Sequence, residues 1–290
     1  MLRILALFSV VLLQAACTNL HIDQPGTRAP EPNRTAFEIS RDVVVSSAEW
    51  PAQLLADVYR PLGAGPDSPR PGVLLIHGGA WKRGSRDQVD HLAEQLAERG
   101  YVVVNTTYRL VPDAIWPAQL RDVQQAARWM HRQGLAQGID PERIGSFGYS
   151  AGAHLASLVA AVADDPTWGA SDTRMRAVVA GGNPADLSLY EGGSLVPAFL
   201  GGEQDEIPDT YAAASPITHV SPTHPPVFIY QATLDAYVPF EQALRYKAAL
   251  DRAGVTNELF IIRGHGHISA FFADDEAIDA AITFLDRHLR

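Results

Sequence analysis

Residues 143–163 read RIGSFGYSAGAHLASLVAAVA, and this stretch decides the fold of the 290-residue chain. Its first five residues fit a short buried strand, and its last thirteen are apolar on nearly all sides, as in a helix packed on a sheet. Between them, Gly148-x-Ser150-x-Gly152 allows only a tight turn with a serine at its tip. Glycines fit there because a side chain would meet the neighbouring strand or helix. This succession indicates an α/β protein with Ser150 as its nucleophile.

The rest of the chain alternates predicted strands with predicted helices. The strands are predicted at 43–45, 54–59, 73–76, 101–104, 143–147, 177–180, 227–230 and 259–262. The helices are predicted at 88–99, from Pro117 to Met130, at 151–163 and at 277–289. After an antiparallel start made by the first two strands, this alternation predicts a mostly parallel central sheet with helices on both faces. The Gly- and Pro-rich stretch 184–221 is weakly periodic and predicts a small cap-like insert over the active site.

Composition excludes one class of partner. The formal net charge is −10 and no long run of Lys or Arg occurs, whereas binding to nucleic-acid phosphates needs a basic face. Apolar residues make up 47 % and charged residues 19 %, which is ordinary for a globular protein with a sizeable core. We therefore expect a globular protein without a nucleic-acid partner.

The N-terminus has the features of an export signal. Residues 1–16 combine a positive start with an apolar run that is too short to span a bilayer, and they predict a signal peptide. Small residues precede Cys17, the one cysteine of the chain, and resemble a bacterial lipobox, although Gln14 stands where Leu is usual. We expect a lipid on Cys17, membrane attachment through it and a place in the bacterial cell envelope; the alternative is a plain secretory signal. Residues 17–36 predict a flexible tether, and residues 37–290 the folded domain.

A serine hydroxyl is a weak nucleophile and needs a histidine base that a carboxylate orients. In a site of this kind the carboxylate and then the histidine follow the serine along the chain. Two candidates, His265 and His267, follow the last predicted strand in Gly264-His265-Gly266-His267. We prefer His267, because His265 stands between two glycines and is less constrained. His154 lies one turn into the helix after the serine and is expected to be a packed or half-buried residue.

Asp235 is the preferred carboxylate. It follows the predicted strand 227–230 and precedes a predicted helix, so it lies at the same end of the sheet as Ser150. The other carboxylates that we weighed belong to the insert and lack such a placement: Asp186, Asp205 and Asp209.

Acyl transfer also needs donors for the oxyanion of the tetrahedral intermediate. His77-Gly78-Gly79-Ala80-Trp81 follows the predicted strand 73–76, and its glycines let backbone N–H groups approach a substrate oxygen. A second donor is expected from the N–H that follows the nucleophile, which belongs to Ala151.

Together these motifs resemble the α/β-hydrolase superfamily, on the side that includes hormone-sensitive-lipase-like esterases, bacterial feruloyl-esterase-like enzymes and kynurenine formamidases. They stand in the order of that family over residues 70–270. The motifs are His77-Gly78-Gly79-Ala80-Trp81, Tyr108-Arg109-Leu110 with Pro117 and Asp122, Gly148-Tyr149-Ser150-Ala151-Gly152, Asp235-Ala236-Tyr237-Val238-Pro239 and Gly266-His267. The lipase branch usually carries a third glycine at the position of Ala80, so the loop is closer to the feruloyl-esterase-like and formamidase-like enzymes.

The resemblance implies a role for individual residues of these motifs. The implied triad is Ser150 as nucleophile, His267 as base and Asp235 as the carboxylate that orients it. The implied oxyanion hole is the backbone of Gly79, Ala80 and Ala151. By the same resemblance, His77 is a structural member of its loop, while Arg109 and Asp122 fix the loop behind the active site.

The leading hypothesis is a serine carboxylesterase that hydrolyses small acyl, aryl or sugar carboxylic esters through an acyl-enzyme intermediate. One alternative is an amide hydrolase of arylformamidase type, which would use the same triad in a different pocket. Another is a catalytically inactive envelope binding protein of the same fold. No metal or other cofactor is expected, because no third ligand stands near His265 and His267 at a sensible spacing.

Overall fold

Nine strands form one sheet within residues 19–22, 34–190, 192–273 and 275–290, which the computed structural model describes. The strands are β1 (Leu20–Ile22), β2 (Phe37–Val44), β3 (Leu55–Pro61), β4 (Arg70–Ile76), β5 (Val102–Thr106), β6 (Ile139–Tyr149), β7 (Val178–Gly181), β8 (Val227–Ala232) and β9 (Asn257–Ile262). Their order across the sheet is β1-β9-β8-β7-β6-β4-β5-β3-β2. Pairs from β5 through β4, β6, β7 and β8 to β9 are parallel, whereas β2, β3 and β1 join antiparallel. The predicted mostly parallel sheet with an antiparallel start is confirmed.

Helices cover both faces of this sheet. They are α1 (Asp90–Glu98), α2 (Ala118–Gln133), α3 (Ala151–Ala161), α4 (Leu195–Leu200), α5 (Pro208–Ala214), α6 (Glu241–Arg252), α7 (His267–Ala273) and α8 (Asp275–Leu289). In β4, Leu74 and Ile76 join the core under α2 and α3, whereas Val73 and Leu75 join the core under α1 and α8. Such strands are buried on both faces, which explains their continuous apolar runs. None of the helices in the described ranges is both long and apolar enough to cross a membrane.

The predicted tether is wrong at β1. Leu20–Ile22 pairs with β9 instead of leaving the body of the protein. The His21 Nε2 atom lies 2.8 Å from the Glu258 Oε2 atom, and the His21 ring packs against the rings of Phe228 and Phe260, each at 5.4 Å between centroids. The contact between His21 and Glu258 and the two aromatic contacts of His21 thus hold a strand of only three residues. Cys17 and the predicted signal peptide at 1–16 lie outside the described residues.

The insert at 184–221 is a packed layer built around the short helices α4 and α5. The Trp116 N–H donates to the Phe199 carbonyl at 2.9 Å, and Phe199 is fully buried. The Gln242 side chain on α6 bonds both the N–H and the carbonyl of Asp186, each at 2.8 Å. These bonds join the start and the middle of the insert to the body of the protein.

Candidate active site

Ser150 stands at the tip of the turn between β6 and α3. Its φ of 56° lies in the left-handed region that non-glycine residues rarely adopt, and its N–H donates to the Gly181 carbonyl at 2.8 Å. A Cβ atom on Gly148 would lie 2.2 Å from the carbonyl carbon of Gly152, and one on Gly152 would lie 2.1 Å from the Ile76 carbonyl oxygen. The two glycines are therefore required by close backbone approach, and the turn holds the serine in a strained conformation.

His267 is the histidine that reaches Ser150. Its Nε2 atom lies 2.9 Å from the Ser150 Oγ atom, although the residue comes 117 positions later in the chain. His267 begins α7, where the sequence predicted a loop. The Tyr149 hydroxyl donates to the His267 carbonyl at 2.6 Å, and the two rings lie 4.9 Å apart. The residue before the nucleophile thus fixes both the backbone and the ring of the histidine.

Asp235 lies behind His267, at the carboxyl end of β8. Its Oδ2 atom is 2.6 Å from the His267 Nδ1 atom, and its side chain is completely buried. The Oδ1 atom accepts the N–H groups of Tyr237 and Val238 at 3.0 and 2.8 Å, and Gln231 Nε2 donates to Oδ2 at 3.1 Å. A carboxylate only accepts, so Nδ1 carries the imidazole proton and Nε2 is left to accept the Ser150 hydroxyl proton.

His265, the second candidate histidine, is not part of this chain of hydrogen bonds. Its carbonyl accepts the Leu234 N–H at 2.9 Å, and its buried Nδ1 atom has no hydrogen-bond partner in the described part of the chain. The bond between Leu234 and His265 joins the loop that carries Asp235 to the segment just before His267. No three His, Cys, Asp or Glu side chains come together as a metal site among the described residues.

The alternative carboxylates lie elsewhere. Asp186 accepts the Ser188 hydroxyl at 2.5 Å and forms an ion pair with Arg245 at 3.3 Å. Asp205 and Asp209 are exposed residues of the insert. The structure therefore brings together Ser150, His267 and Asp235, the three residues that the sequence favoured.

The loop after β4 lies against the nucleophile. A Cβ atom on Gly78 would come within 3.4 Å of the Ser150 Cβ atom. Beyond it Gly79, Ala80 and Trp81 have φ values of 111°, 54° and 56°. Two consecutive non-glycine residues in this conformation cost about 1–3 kcal/mol each, which the surrounding structure must offset. The loop thus turns directly after Gly78, the residue that lies against Ser150.

The N–H groups predicted for the oxyanion hole are free of bonds within the fold. Those of Gly79, Ala80 and Ala151 donate to no acceptor in the described ranges. Ala151 is the first residue of α3, where a helix leaves its N–H groups unpaired and favours negative charge. The site thus offers a hydroxyl, a base and backbone donors close to one another, which is the set that acyl transfer requires.

Trp81 and His154 hold the strained loop in place, and the sequence did not predict this contact. The Trp81 ring is buried and stacks on Phe199 of the insert, with 4.3 Å between centroids and 8° between planes. Its Nε1–H donates to His154 Nδ1 at 3.3 Å, and His154 Nε2 donates to the Ala214 carbonyl at 2.7 Å. Burial lowers the pKa of the His154 imidazole to about 4, so the ring is neutral, as both bonds require. A histidine on an all-apolar helix was the one signal in the sequence.

His77 and the Arg109–Asp122 pair have structural positions. Burial lowers the pKa of His77 to about 4, and its ring stacks on Tyr108 at 4.4 Å. The Tyr108 hydroxyl donates to the His77 carbonyl at 3.1 Å and so supports the loop beside Ser150. Arg109 makes a forked pair with the buried carboxylate of Asp122, with Nε and Nη2 each donating at 2.8 Å. These contacts agree with the structural roles that the resemblance implied.

Comparison with known families and sequences finds esterases among the proteins that this chain resembles. A family model described as BD-FAE matches residues 56–250, about two thirds of the chain. Esterase LipQ of Mycobacterium tuberculosis is 33 % identical over 211 residues, which cover 69 % of this chain and 50 % of LipQ. The chain thus spans about half the length of the curated relatives that it matches first.

Solved structures show the same fold over nearly the whole chain. A carbohydrate esterase from gut microbiota has a TM-score of 0.76 at 22 % identity, covering 89 % of this chain and 98 % of that one. Esterase 2 of the planctomycete Thermogutta terrifontis, in its propionate-bound form, has a TM-score of 0.72 at 25 % identity, covering 89 % of this chain and 96 % of that one. The α/β-hydrolase fold that the sequence predicted is confirmed.

Proposed function

This chain belongs to the BD-FAE family, and from that premise we propose that it is a serine carboxylesterase, an enzyme that hydrolyses carboxylic ester bonds. The observation that carries the proposal is the continuous hydrogen-bond chain from Ser150 Oγ through His267 to Asp235, with distances of 2.9 and 2.6 Å. The named relatives and solved structures are esterases, which favours an ester substrate over a formamide.

The first half of the reaction forms the acyl-enzyme. Ser150 Oγ attacks the carbonyl carbon of the ester while its proton passes to His267 Nε2. The carbonyl oxygen becomes an oxyanion that the N–H groups of the Gly79–Ala80 loop and of Ala151 stabilise. Asp235 keeps the proton on Nδ1 and stabilises the imidazolium. The tetrahedral intermediate then breaks its bond to the alcohol oxygen, which leaves with the proton from Nε2.

The second half restores the enzyme. A water molecule gives its proton to His267 Nε2 as its oxygen attacks the acyl carbon, and the same backbone donors hold the second oxyanion. The bond from the acyl carbon to Ser150 Oγ breaks, and Oγ takes the proton back from Nε2. The product is a carboxylic acid, so one water is consumed for each ester cleaved.

Small esters are the proposed substrates, with a short acyl, aryl or sugar group. The propionate-bound Thermogutta terrifontis esterase supports a short acyl chain, and the likeness to a carbohydrate esterase concerns the fold alone. We test this with a panel of acetyl, butyryl, longer acyl, feruloyl and acetylated-sugar esters next to N-formylkynurenine. Turnover of the formyl amide alone would contradict the ester assignment.

The catalytic roles are tested with paired variants. We expect Ser150→Ala and His267→Ala to lower the rate of ester hydrolysis by about 10⁴-fold or more, because members of a triad act as a unit. His265→Ala and Ser188→Ala are matched controls, since neither residue joins the chain of hydrogen bonds to Asp235. A fluorophosphonate should modify Ser150 in the native chain and in both controls. An S150A chain that still turns over esters would refute the proposal.

We further propose that the chain is exported and lipid-modified at Cys17 in the bacterial cell envelope. The support is the sequence pattern, in which an apolar run and two alanines precede the one cysteine of the chain. Globomycin should block processing of the native chain, and Cys17→Ala should release the protein from membranes. Processing that ignores both would contradict the anchor.

A further inference from the structure

Four large apolar side chains stand exposed around the base of the triad. We call them the apolar rim: Leu234 (65 % exposed), Tyr237 (62 %), Ile268 (58 %) and Phe272 (73 %). Single exposed apolar residues are ordinary, but a contiguous group beside a site marks an interaction surface.

The four rim residues lie in the two segments that carry Asp235 and His267. The Leu234 N–H bonds the carbonyl of His265, and the Tyr237 ring lies 5.7 Å from the ring of His267. Ile268 directly follows His267, and Phe272 stands one turn further along α7. Leu234 and Tyr237 therefore belong to the loop that carries Asp235, and Ile268 and Phe272 belong to α7, which begins at His267.

The N-terminal strand β1 reaches the sheet near the active site, at the end where the parallel strands have their carboxyl ends. β1 runs antiparallel to β9, with Leu20 opposite Ile261, so its amino end points toward the carboxyl end of β9. There Asn19 Oδ1 accepts the Arg263 N–H at 3.1 Å, and Asn19 Nδ2 donates to Glu276 at 2.8 Å. Arg263 stands four residues before His267, and Glu276 four residues after Phe272. Asn19 is thus bonded to the segments just before and just after α7, the helix that carries Ile268 and Phe272.

Cys17 is only two residues before Asn19. Two peptide units span at most about 8 Å, so a lipid on Cys17 would be tied to the active-site edge of the sheet. Ser150 follows β6, and the strand order places β9 three strands away from β6. At the usual strand spacing, β9 and β6 are about 14 Å apart. The predicted tether of twenty residues would let the protein take any orientation relative to the membrane. A link of only two residues between Cys17 and Asn19 restricts that orientation.

We propose that the apolar rim docks into the zwitterionic lipid surface to which the chain is anchored, with the mouth of the active site turned toward the bilayer. Exposed aromatic and aliphatic side chains can bury apolar surface at the boundary between headgroups and acyl chains, which adds a contact to the lipid on Cys17. The net charge of −10 and the carboxylate of Glu276 beside the rim disfavour an anionic surface. This inference rests on the proposed lipid at Cys17 and on the location of the proposed esterase site. Esters partly embedded in the lipid surface would then reach Ser150 directly.

The test uses the membrane-extracted chain in phosphatidylcholine vesicles that contain a nitroxide-labelled lipid. Phe272→Cys and Ile268→Cys each carry a maleimide dye on the rim. Leu135→Cys is the matched control: Leu135 is 46 % exposed, and its neighbour Gly134 packs on Ile139, the first residue of β6, at the opposite edge of the sheet. The unsubstituted chain is the blank, because a lipid-modified Cys17 does not react with maleimide.

We expect the nitroxide to quench the dye at 272 and at 268, with a blue shift of the emission, and to leave the dye at 135 unchanged. Equal quenching at the rim and at 135, or none at either rim position, would overturn the proposal. Labelling of the blank would reveal a free Cys17 and would overturn it as well. Reaction of Ser150 with a fluorophosphonate in the same samples reports the esterase site separately, so a failure of either proposal is recognised by itself.

Discussion

Ser150 shows how one backbone conformation depends on its neighbours. The glycines at 148 and 152 leave no room for a side chain, because an added Cβ atom would lie about 2 Å from backbone atoms of the helix or of β4. Backbone atoms in the core cannot move aside as the end of a flexible side chain can. The turn that presents the serine is therefore stabilised by close packing from both sides.

We expect Gly152→Ala to destabilise the protein by about 3 kcal/mol or more and to abolish fluorophosphonate labelling of Ser150, since overpacking must displace the turn. Gly65→Ala is the control, because an added Cβ atom there meets nothing within 4 Å. Chemical denaturation measures both variants. A G152A protein as stable and reactive as the control would contradict the packing argument.

His154 makes the stability of the protein sensitive to acid. Its pKa of about 4 in the folded chain lies below the ordinary value of 6.5, so between these two values the unfolded chain binds more protons. The free energy of unfolding is therefore unaffected above pH 7 and falls as the pH drops from 6.5 toward 4. At 1.36 kcal/mol for each pH unit, the full loss is about 3 kcal/mol.

We expect His154→Gln to reduce the difference between the unfolding free energies at pH 7.5 and pH 4.5 by about 2–3 kcal/mol. The amide of Gln keeps one donor and one acceptor for Ala214 and Trp81 but has no proton to gain. The acid sensitivity that remains includes His77, whose pKa burial also lowers to about 4, and His224 and His288, whose pKa values burial lowers as well. An identical pH dependence in both proteins would refute this assignment.

At the scale of elements, the insert supports the loop that faces the nucleophile. Phe199 on α4 stacks on Trp81, and α5 ends at Ala214, whose carbonyl accepts the proton of His154. The positive φ values of Ala80 and Trp81 thus depend on contacts with residues more than a hundred positions later in the chain. The insert thus holds in place the loop that supplies N–H donors to the predicted oxyanion hole.

We expect Phe199→Ala to cost about 3–5 kcal/mol of stability, as for other fully buried phenylalanines. It should also lower kcat more than it raises KM, because a loosened loop misplaces donors that matter most in the transition state. Phe272→Ala, with its 73 % exposed ring, is the control for stability and should stay within about 0.5 kcal/mol of the native chain. A change in KM alone would argue against the bracing role.

Elements with a strong local pattern could be predicted from the sequence. The strand–turn–helix at Ser150 needs only neighbouring residues, and the strands on either side are continuous apolar runs. Outside the insert, whose short helices α4 and α5 lack a strong pattern, two further elements could not be predicted. β1 has three residues and a partner more than two hundred positions away, and α7 begins at His267 just after two glycines that indicate a loop. The support that Phe199 and His154 give to Trp81 could not be predicted either, because it depends on tertiary packing alone.

At the scale of the whole molecule, a buried carboxylate joins the first strand to the last helix. Glu258 on β9 lies 2.8 Å from His21 on β1 and accepts a hydrogen bond from Arg287 on α8. Its side chain is only 3 % exposed. Removing the carboxylate leaves the partly buried Arg287 guanidinium without its ion-pair partner and His21 without its hydrogen-bond partner.

We expect Glu258→Ala to cost about 3–5 kcal/mol and to speed hydrogen exchange in Leu20–Ile22. Glu38→Ala is the control, because the Glu38–Arg60 pair is exposed and contributes at most about 1 kcal/mol. If exchange in β1 stayed as slow as in the native chain, Glu258 would not be what holds this strand.

The two outer strands of the sheet, β1 and β2, affect how copies of the protein interact when they are close together. β1 is too short to extend a foreign sheet, and β2 carries Glu38, Arg41 and Asp42 along with a register shift between Ser40 and Val43. Such edges resist pairing with another sheet. Copies held by lipid on one surface would diffuse in two dimensions, where edge-to-edge collisions are frequent. On such a surface the short strand β1 and the charged strand β2 would limit the growth of a shared sheet between neighbouring copies.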